Sequence, residues 1–440
     1  MKRVLIICDL FPPAFGPRMG YLCKYIRAEG WEPMVLTEQV TDEHAFGFLE
    51  GSCEVTYVNY YSTSGKWQHK PEWLRKLEWP HKLEWFRKLK WPHKFEWFLV
   101  FLLDICFGYK NQRMYKEAER LLRQRQVDVI LCSTYRTFPL PAARKAARTF
   151  NLPLVVDLRD IIEQYTGMEF IAHTMPSFLG IDKLAATLFK RESLATRNKV
   201  VKAARCVTTI SPWHVEVLKM YNPVVKLIYN GFDPELFYPE RIITRQFIIT
   251  YTGRLLSTAM RDPSLLFEAV ARLSAGGILH PAACQIHWYV DPGSWNVIAK
   301  EAEKYGIAAF MTYKGYVAAS EIPGILNHSS LLLLLTNRSN GAGPKGVMTT
   351  KFFESLAVGK PVLCVRSDES YLAEAIRHTN AGLAATNVDE VCDFLRFYHQ
   401  EWNTKGYTAS SVDKDKLQVY SRREQARQFA SIFNEMTRNG

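Results

Sequence analysis

The sequence predicts an α/β protein built from two doubly wound, Rossmann-like domains that face each other across a cleft. Three observations predict it. Continuous Val/Ile/Leu runs alternate with helix-like periodic segments, which is how parallel strands buried on both faces read. The alternation breaks near residue 238 and restarts at "RQFIITYTG" (245–253). The chain has 440 residues, and a chain that long favours two domains of about 200 residues over one.

The first series opens with "RVLIICD" (3–9), a strand, then a Pro/Gly loop, a helix from about Tyr21 to Ala28, and the strand "EPMVLT" (32–37). It continues through "VDVILCST" (127–134), a helix over 140–149, "LPLVVDLRD" (152–160), "CVTTIS" (206–211) and "VVKLIYNG" (224–231). After the strand at 245–253 the second series runs through "QIHWYV" (285–290), "MTYKGYV" (311–317), "SLLLLLT" (330–336), "KPVLCV" (360–365) and "GLAAT" (382–386). The final "SRREQARQFASIFNEM" (421–436) reads as an amphipathic helix. In doubly wound sheets, ligands sit outside the carboxyl ends of the strands.

Composition narrows the partners. A formal charge of +12 favours phosphates, nucleic acid or an acidic membrane surface. Nine cysteines are scattered singly with no CxxC, which reads as reduced thiols in a cytosolic protein. The apolar start "MKRVLIICDLFPP" is short and interrupted by Asp9, so it reads as a strand and not a signal peptide. "FLVFLLDICF" (98–107) is too short to span a bilayer and carries Asp104.

Residues 62–98 interrupt the first series. They hold three copies of a twelve-residue unit: "SGKWQHKPEWLR", "KLEWPHKLEWFR" and "KLKWPHKFEWFL". Tryptophan recurs at every sixth position, and a six-residue step rotates a helical side chain by about 240°, so one long rod would not keep the rings on one face. Pro80 and Pro92 suit the first position of new helices, which predicts short helical segments bent at the Trp–Pro pairs. From Lys66 to Glu96 there are nine Lys/Arg against four Glu. Tryptophan favours the headgroup region and basic residues favour anionic lipid. Trp73, Trp79, Trp85, Trp91 and Trp97 are therefore candidate contacts of an interfacial membrane anchor. A duplicated loop packed on its own domain or on a second subunit is the alternative.

The stretch "GVMTTKFFESLAVGKPVLCV" (346–365) carries the strongest chemistry. Thr349 or Thr350 can cap a helix running to Val358, with Gly359 at its C′ position and Pro361 beyond. Phe353, Leu356 and Ala357 make its buried stripe, while Lys351 and Glu354 share another face. A carboxylate one turn into such a helix can accept two ribose hydroxyls, and the glycine-rich loop before it can receive phosphate. An exposed Lys351–Glu354 ion pair is the plainer alternative.

This stretch resembles the signature of family 4 glycosyltransferases, which have the GT-B fold. "FPPAFGPRMGYLCKYIRAEGWEPMVLT", "YNGFDPELF" (229–237), "YTGRL" (251–255) and "YKGYV" (313–317) fall in that family's order and spacing. The resemblance covers nearly the whole chain except the tryptophan insert. It implies an N-terminal acceptor-binding domain (1–238), a C-terminal nucleotide-sugar-binding domain (239–412) and a C-terminal helix (413–440) packing back on the N-terminal domain. The family often has two glutamates eight apart; Glu354 matches the second, and Gly346 stands at the first. A subgroup lacks that first glutamate, and its absence leaves the donor-sugar contact unassigned.

Residue by residue, Gly253 allows close backbone approach to a phosphate, and Arg254, Arg261 and Lys351 are candidate clamps for a diphosphate. A surface Arg261–Asp262 pair is the alternative for Arg261. Gly16 and Arg18 lie in the loop that faces the cleft in this family, where Arg18 could reach a phosphate; the spacing is not GxGxxG, so an NAD site is not expected. Asp157, Arg159 and Asp160 end a strand at the cleft, with Asp160 the candidate for the acceptor hydroxyl. Capping of the following helix is their plainer role. His214 and His287 read as ordinary packing or surface residues. No DxD pair ends a strand, in keeping with a metal-independent enzyme without cofactor.

The resemblance implies a retaining glycosyltransferase of bacterial cell-surface polysaccharide synthesis. It would move sugar from a nucleotide diphosphate-sugar to a glycan or lipid-linked acceptor, in the cytoplasm and peripherally on the inner face of the membrane. A GT-B sugar-nucleotide epimerase would share the fold and the diphosphate site. A basic nucleic-acid binder would fit the charge and aromatics, but leaves the ordered motifs of the second half unexplained, so no nucleic-acid partner is expected.

Overall fold

A computed structural model describes residues 1–39, 46–58, 60, 104, 108–164, 181–255, 257–258, 261–336, 348–366 and 370–438, with backbone only at 181–185 and 370. The tryptophan repeat and its predicted bends lie outside the described residues.

The first half contains β1 (Lys2–Cys8), α1 (Pro17–Ile26), β2 (Trp31–Glu38), β3 (Glu54–Val58), α2 (Tyr109–Gln124), β4 (Val129–Thr134), α3 (Leu140–Thr149), β5 (Leu154–Leu158), α4 (Ile181–Ala203), β6 (Cys206–Thr209), α5 (Pro212–Lys219) and β7 (Val225–Leu227). Its seven strands form one parallel sheet in the order β3-β2-β1-β4-β5-β6-β7. From β1 the chain winds outward to β3, then returns to β4 on the other side of β1. The topological switch point therefore lies between β1 and β4.

Three departures from the sequence reading have plain causes. Helix α1 starts at Pro17, not near Tyr21, because proline's fixed φ suits the first helical position and "PRMG" is its first turn. Strand β3 was not anticipated: it is an edge strand, only half buried, and its "EVTYV" lacks a continuous apolar run. Helix α2 was hidden by its charge, yet it buries Met114, Ala118, Leu121 and Leu122 on one face.

The second half repeats the plan with β8 (Phe247–Thr252), α6 (Ser264–Ala275), β9 (Cys284–Tyr289), α7 (Pro292–Lys304), β10 (Met311–Tyr313), α8 (Ile322–Asn327), β11 (Leu331–Leu335), α9 (Thr350–Ala357), β12 (Val362–Val365), α10 (Ser370–Thr379), β13 (Gly382–Ala385) and α11 (Val388–Lys405). The six strands are parallel in the order β10-β9-β8-β11-β12-β13, which puts this switch point between β8 and β11. Strand β11 reads Leu331–Leu335 and is buried throughout, as a central parallel strand requires. Each sheet is covered on both faces by apolar side chains.

After α12 (Lys414–Gln418), the chain returns to the first half as α13 (Arg422–Arg438). Phe429 and Phe433 of α13 are buried against α1 and the first sheet, and Phe433 meets Trp31 edge-on at 5.2 Å. The return is stitched to the outgoing segment. Phe232 N–H donates to Tyr420 O (3.1 Å) and Arg422 N–H to Phe232 O (2.9 Å). Gly231 is required beside this stitch, because a Cβ there would lie 2.0 Å from Tyr420 O.

Seven of the eight described cysteines are buried. No helix among the described residues is long and apolar enough to cross a membrane.

Candidate functional site

The residues that follow β8 and open α9 come together at the second switch point. Tyr251 is buried at the end of β8, and its hydroxyl donates to Arg254 O at 3.0 Å. Arg261 Nη1 (3.5 Å) and Lys351 Nζ (3.4 Å) point at the same hydroxyl, and Lys351 also lies over the Tyr251 ring at 4.5 Å. Gly253 has φ +99°, and a Cβ there would fall 2.6 Å from Lys351 Nζ. Glycine thus serves both the left-handed backbone and the close approach of the ammonium. Arg254 is exposed just beyond the strand.

Helix α9 presents Lys351 and Glu354 as expected but not as an ion pair. Its buried stripe of Phe352, Phe353, Leu356 and Ala357 orients the other face to the site. Gly359, with φ +65°, takes the C′ position, while Thr349 makes no side-chain cap. Burial pushes the Lys351 ammonium down to about 7; Arg261 adds to the effect and Glu354 opposes it. Burial pushes the Glu354 carboxyl up to about 7, against Arg422 and Lys351. The alternative pairing of Arg261 with Asp262 is also excluded: Asp262 is bound by Arg366 at 3.0 Å. Lys351 and Arg261 therefore converge with no carboxylate ion pair among the described residues. The glycine-rich residues 341–346 lie outside the described residues.

The first half treats its charges differently. Arg18 turns inward to the end of β5. It is 3% exposed, and all five of its N–H groups have partners. Nε and Nη2 grip Asp157 (3.0 Å each), Nη2 also donates to Ile228 O, and Nη1 donates to Tyr229 O and Asn230 Oδ1. Asp157 is fully buried and also accepts from Ser133 (2.8 Å) and Thr208 (2.7 Å). Burial alone would raise its carboxyl, but Arg18 and these hydroxyls hold it below the usual range. The pair ties α1 and β5 to the segment that follows β7. Gly16 also acts in packing: a Cβ would lie 2.5 Å from Leu10 O.

Arg159 and Asp160 do reach the carboxyl end of the first sheet. Arg159 pairs with Asp9, a residue the sequence reading passed over, and Asp160 accepts from Gln164 Nε2 at 2.9 Å. Burial raises both Asp9 and Asp160, with Arg159 opposing. Gln164 continues to His214, which also meets Thr209 and is pushed down to about 4 by burial. That is the satisfied core histidine expected. Tyr135 and Arg136, just past β4, complete this end of the sheet.

Neither a protein-family model nor a curated relative matches the chain by sequence. Solved structures do match in shape. Sucrose-phosphate synthase from Thermosynechococcus elongatus aligns over all of both chains at 12% identity, with a TM-score of 0.62. Anabaena HepE in complex with UDP-glucose aligns over 99% of this chain and 100% of its own at 13% identity, TM-score 0.62. The lipopolysaccharide outer core galactosyltransferase WaaB, in its apo form, covers 98% and 99% at 12% identity, TM-score 0.55. At these identities the likeness establishes the fold, which is GT-B.

Proposed function

We propose that this chain is a retaining glycosyltransferase that carries sugar from a nucleotide diphosphate-sugar to a glycan or lipid-linked saccharide of a cell-surface polysaccharide. One observation carries the reading. Lys351 and Arg261 converge over Gly253 at the second switch point without a carboxylate ion pair. Cations held so, half out of water, call for an anion, and a diphosphate supplies it. The UDP-glucose complex of HepE, on the same fold, supports a nucleotide-sugar as the donor.

The chemistry is then charge management. As the glycosyl carbon becomes oxocarbenium-like, the leaving diphosphate gains negative charge, and preorganised Lys351, Arg261 and Arg254 stabilise it where it develops. Glu354 accepts ribose hydroxyls. The first half presents the acceptor hydroxyl near Asp160. Arginine and lysine take the place of a divalent metal at the diphosphate. Retention of configuration is read from the family resemblance.

The test is UDP binding and sugar transfer by the full chain in excess EDTA. Both are expected to persist. Glu354→Ala and Arg254→Ala are expected to stay folded and to lose about 2–4 kcal/mol of transition-state stabilisation, the scale of a charged partner removed from a desolvated ligand. Near-wild-type turnover in either variant sinks the assignment, and activity restored only by magnesium or manganese reveals a metal site.

The tryptophan repeat is proposed as the contact with an anionic inner membrane face, where a lipid-linked acceptor would be presented. Deleting residues 66–97 is expected to abolish sedimentation with anionic vesicles and leave UDP binding intact. If the full chain ignores such vesicles at low and physiological salt, the repeat serves a protein contact instead.

A further inference from the structure

We propose that the carboxyl ends of β1, β4 and β5 form a second ligand site, for an oxyanion (phosphate or carboxylate) carried by the acceptor, with Arg136 as its principal cation. The inference rests on the reading of the first half as the acceptor side, and names the chemical class of that acceptor.

The site is assembled at the first sheet's switch point. Asp9 follows β1, Tyr135 and Arg136 follow β4, and Arg159 and Asp160 follow β5. Both guanidinium groups lie over one aromatic ring: Arg136 Cζ is 4.5 Å and Arg159 Cζ 5.3 Å from the Tyr135 centroid. Among the described residues Arg136 makes no side-chain hydrogen bond or ion pair, and its Nε is sealed from solvent without an acceptor. Arg159 uses Nη2 on Asp9, and its own Nε is likewise sealed and without an acceptor.

Two sealed N–H groups on neighbouring arginines are costly, at about 1–3 kcal/mol for each donor left unmade. Lysine can relieve such a cost by losing its proton, as the lowered Lys351 does; arginine cannot. The Nη groups of Arg136 are not sealed, and a phosphate or carboxylate offers them several acceptors in the geometry of a guanidinium.

This end of the sheet carries two arginines and two aspartates, so it is the pairing and not the net charge that favours an anion over a neutral sugar. Asp9 compensates Arg159, and Asp160 is held by Gln164. Among the described residues no carboxylate pairs with Arg136. This end of the first sheet is separate from the Lys351–Arg261 cluster, which belongs to the other sheet.

The experiment titrates the full chain, saturated with UDP, with glucose 6-phosphate, glucuronate and glucose, by calorimetry. At least one anionic probe is expected to bind at a concentration where glucose does not. Preference for glucose 6-phosphate marks a phosphorylated acceptor, and preference for glucuronate an acidic sugar. Arg136→Ala is expected to weaken that binding at least tenfold and Arg136→Lys by less, with thermal midpoints near wild type, while Lys304→Ala, an exposed surface lysine of α7, leaves it unchanged. The proposal is overturned if neither anionic probe binds, if glucose binds equally well, or if Arg136→Ala keeps the binding. UDP binding is read separately. A chain that binds glucose 6-phosphate through Arg136 but never binds UDP keeps the anion site and sinks the transferase.

Discussion

The two switch points carry the same kinds of side chain and settle their charges in opposite ways. In the first half, Arg18 is wholly consumed by Asp157 and the nearby carbonyls, and Arg159 is held by Asp9. In the second half, Lys351 and Arg261 share only the hydroxyl of Tyr251. A paired cation is part of the framework, whereas a cation without a carboxylate is a vacancy for charge. The difference teaches that burial and arginine content alone do not mark a binding residue; the inventory of partners does.

The comparison breaks first at stability. Arg18→Ala is expected to cost about 3–5 kcal/mol, because it strands the buried Asp157 carboxylate. Lys351→Ala removes a cation that burial already disfavours, and is expected to leave stability unchanged or improved while abolishing UDP binding. Urea unfolding and UDP titration of both variants check this. If Lys351→Ala destabilises as much as Arg18→Ala, the two halves are alike and the contrast fails.

A smaller effect sharpens it: pH. A diphosphate requires protonated Lys351, whose ammonium sits at about 7, so donor affinity falls as pH rises above that value. Ribose hydroxyls require ionised Glu354, also at about 7, so affinity falls as pH drops below it. Affinity for UDP-glucose is expected to peak near pH 7 and to change up to tenfold per unit on either side. Glu354→Gln is expected to remove the acidic limb and keep the alkaline one. A flat profile in wild type would show that neither group meets the ligand. The same shifts act on the empty protein. Glu354, raised above its unfolded value, withdraws stability as pH climbs towards 7, and Lys351, lowered below its own, restores it only above 7.

The central strands were legible because burial on both faces leaves an unbroken apolar run, as in Leu331–Leu335. The edge strand β3 was not, since one side of it meets solvent. Helix α9 was legible from its apolar spacing, and with it the placement of Lys351 and Glu354. What could not be read was pairing. Arg18 and Asp157 are 139 residues apart, and nothing local in "FGPRMG" says that its arginine turns under the sheet. Asp9 and Arg136 gain meaning only when the order β1-β4-β5 sets the ends of three strands side by side. Tyr251 stood inside a quoted motif, yet its place between two cations depends on where α9 delivers Lys351.

The stitch between Phe232 and the 420–422 segment has a mechanical consequence. A single strand between two bodies is a swivel and allows rotation about its own axis. Two strands joined by hydrogen bonds resist that torsion, since twisting would shear Phe232–Tyr420 against Arg422–Phe232. Bending across the pair requires no such shear. The junction therefore behaves as a door hinge with one soft axis, and Gly231 is the slim leaf that lets its two plates lie flush.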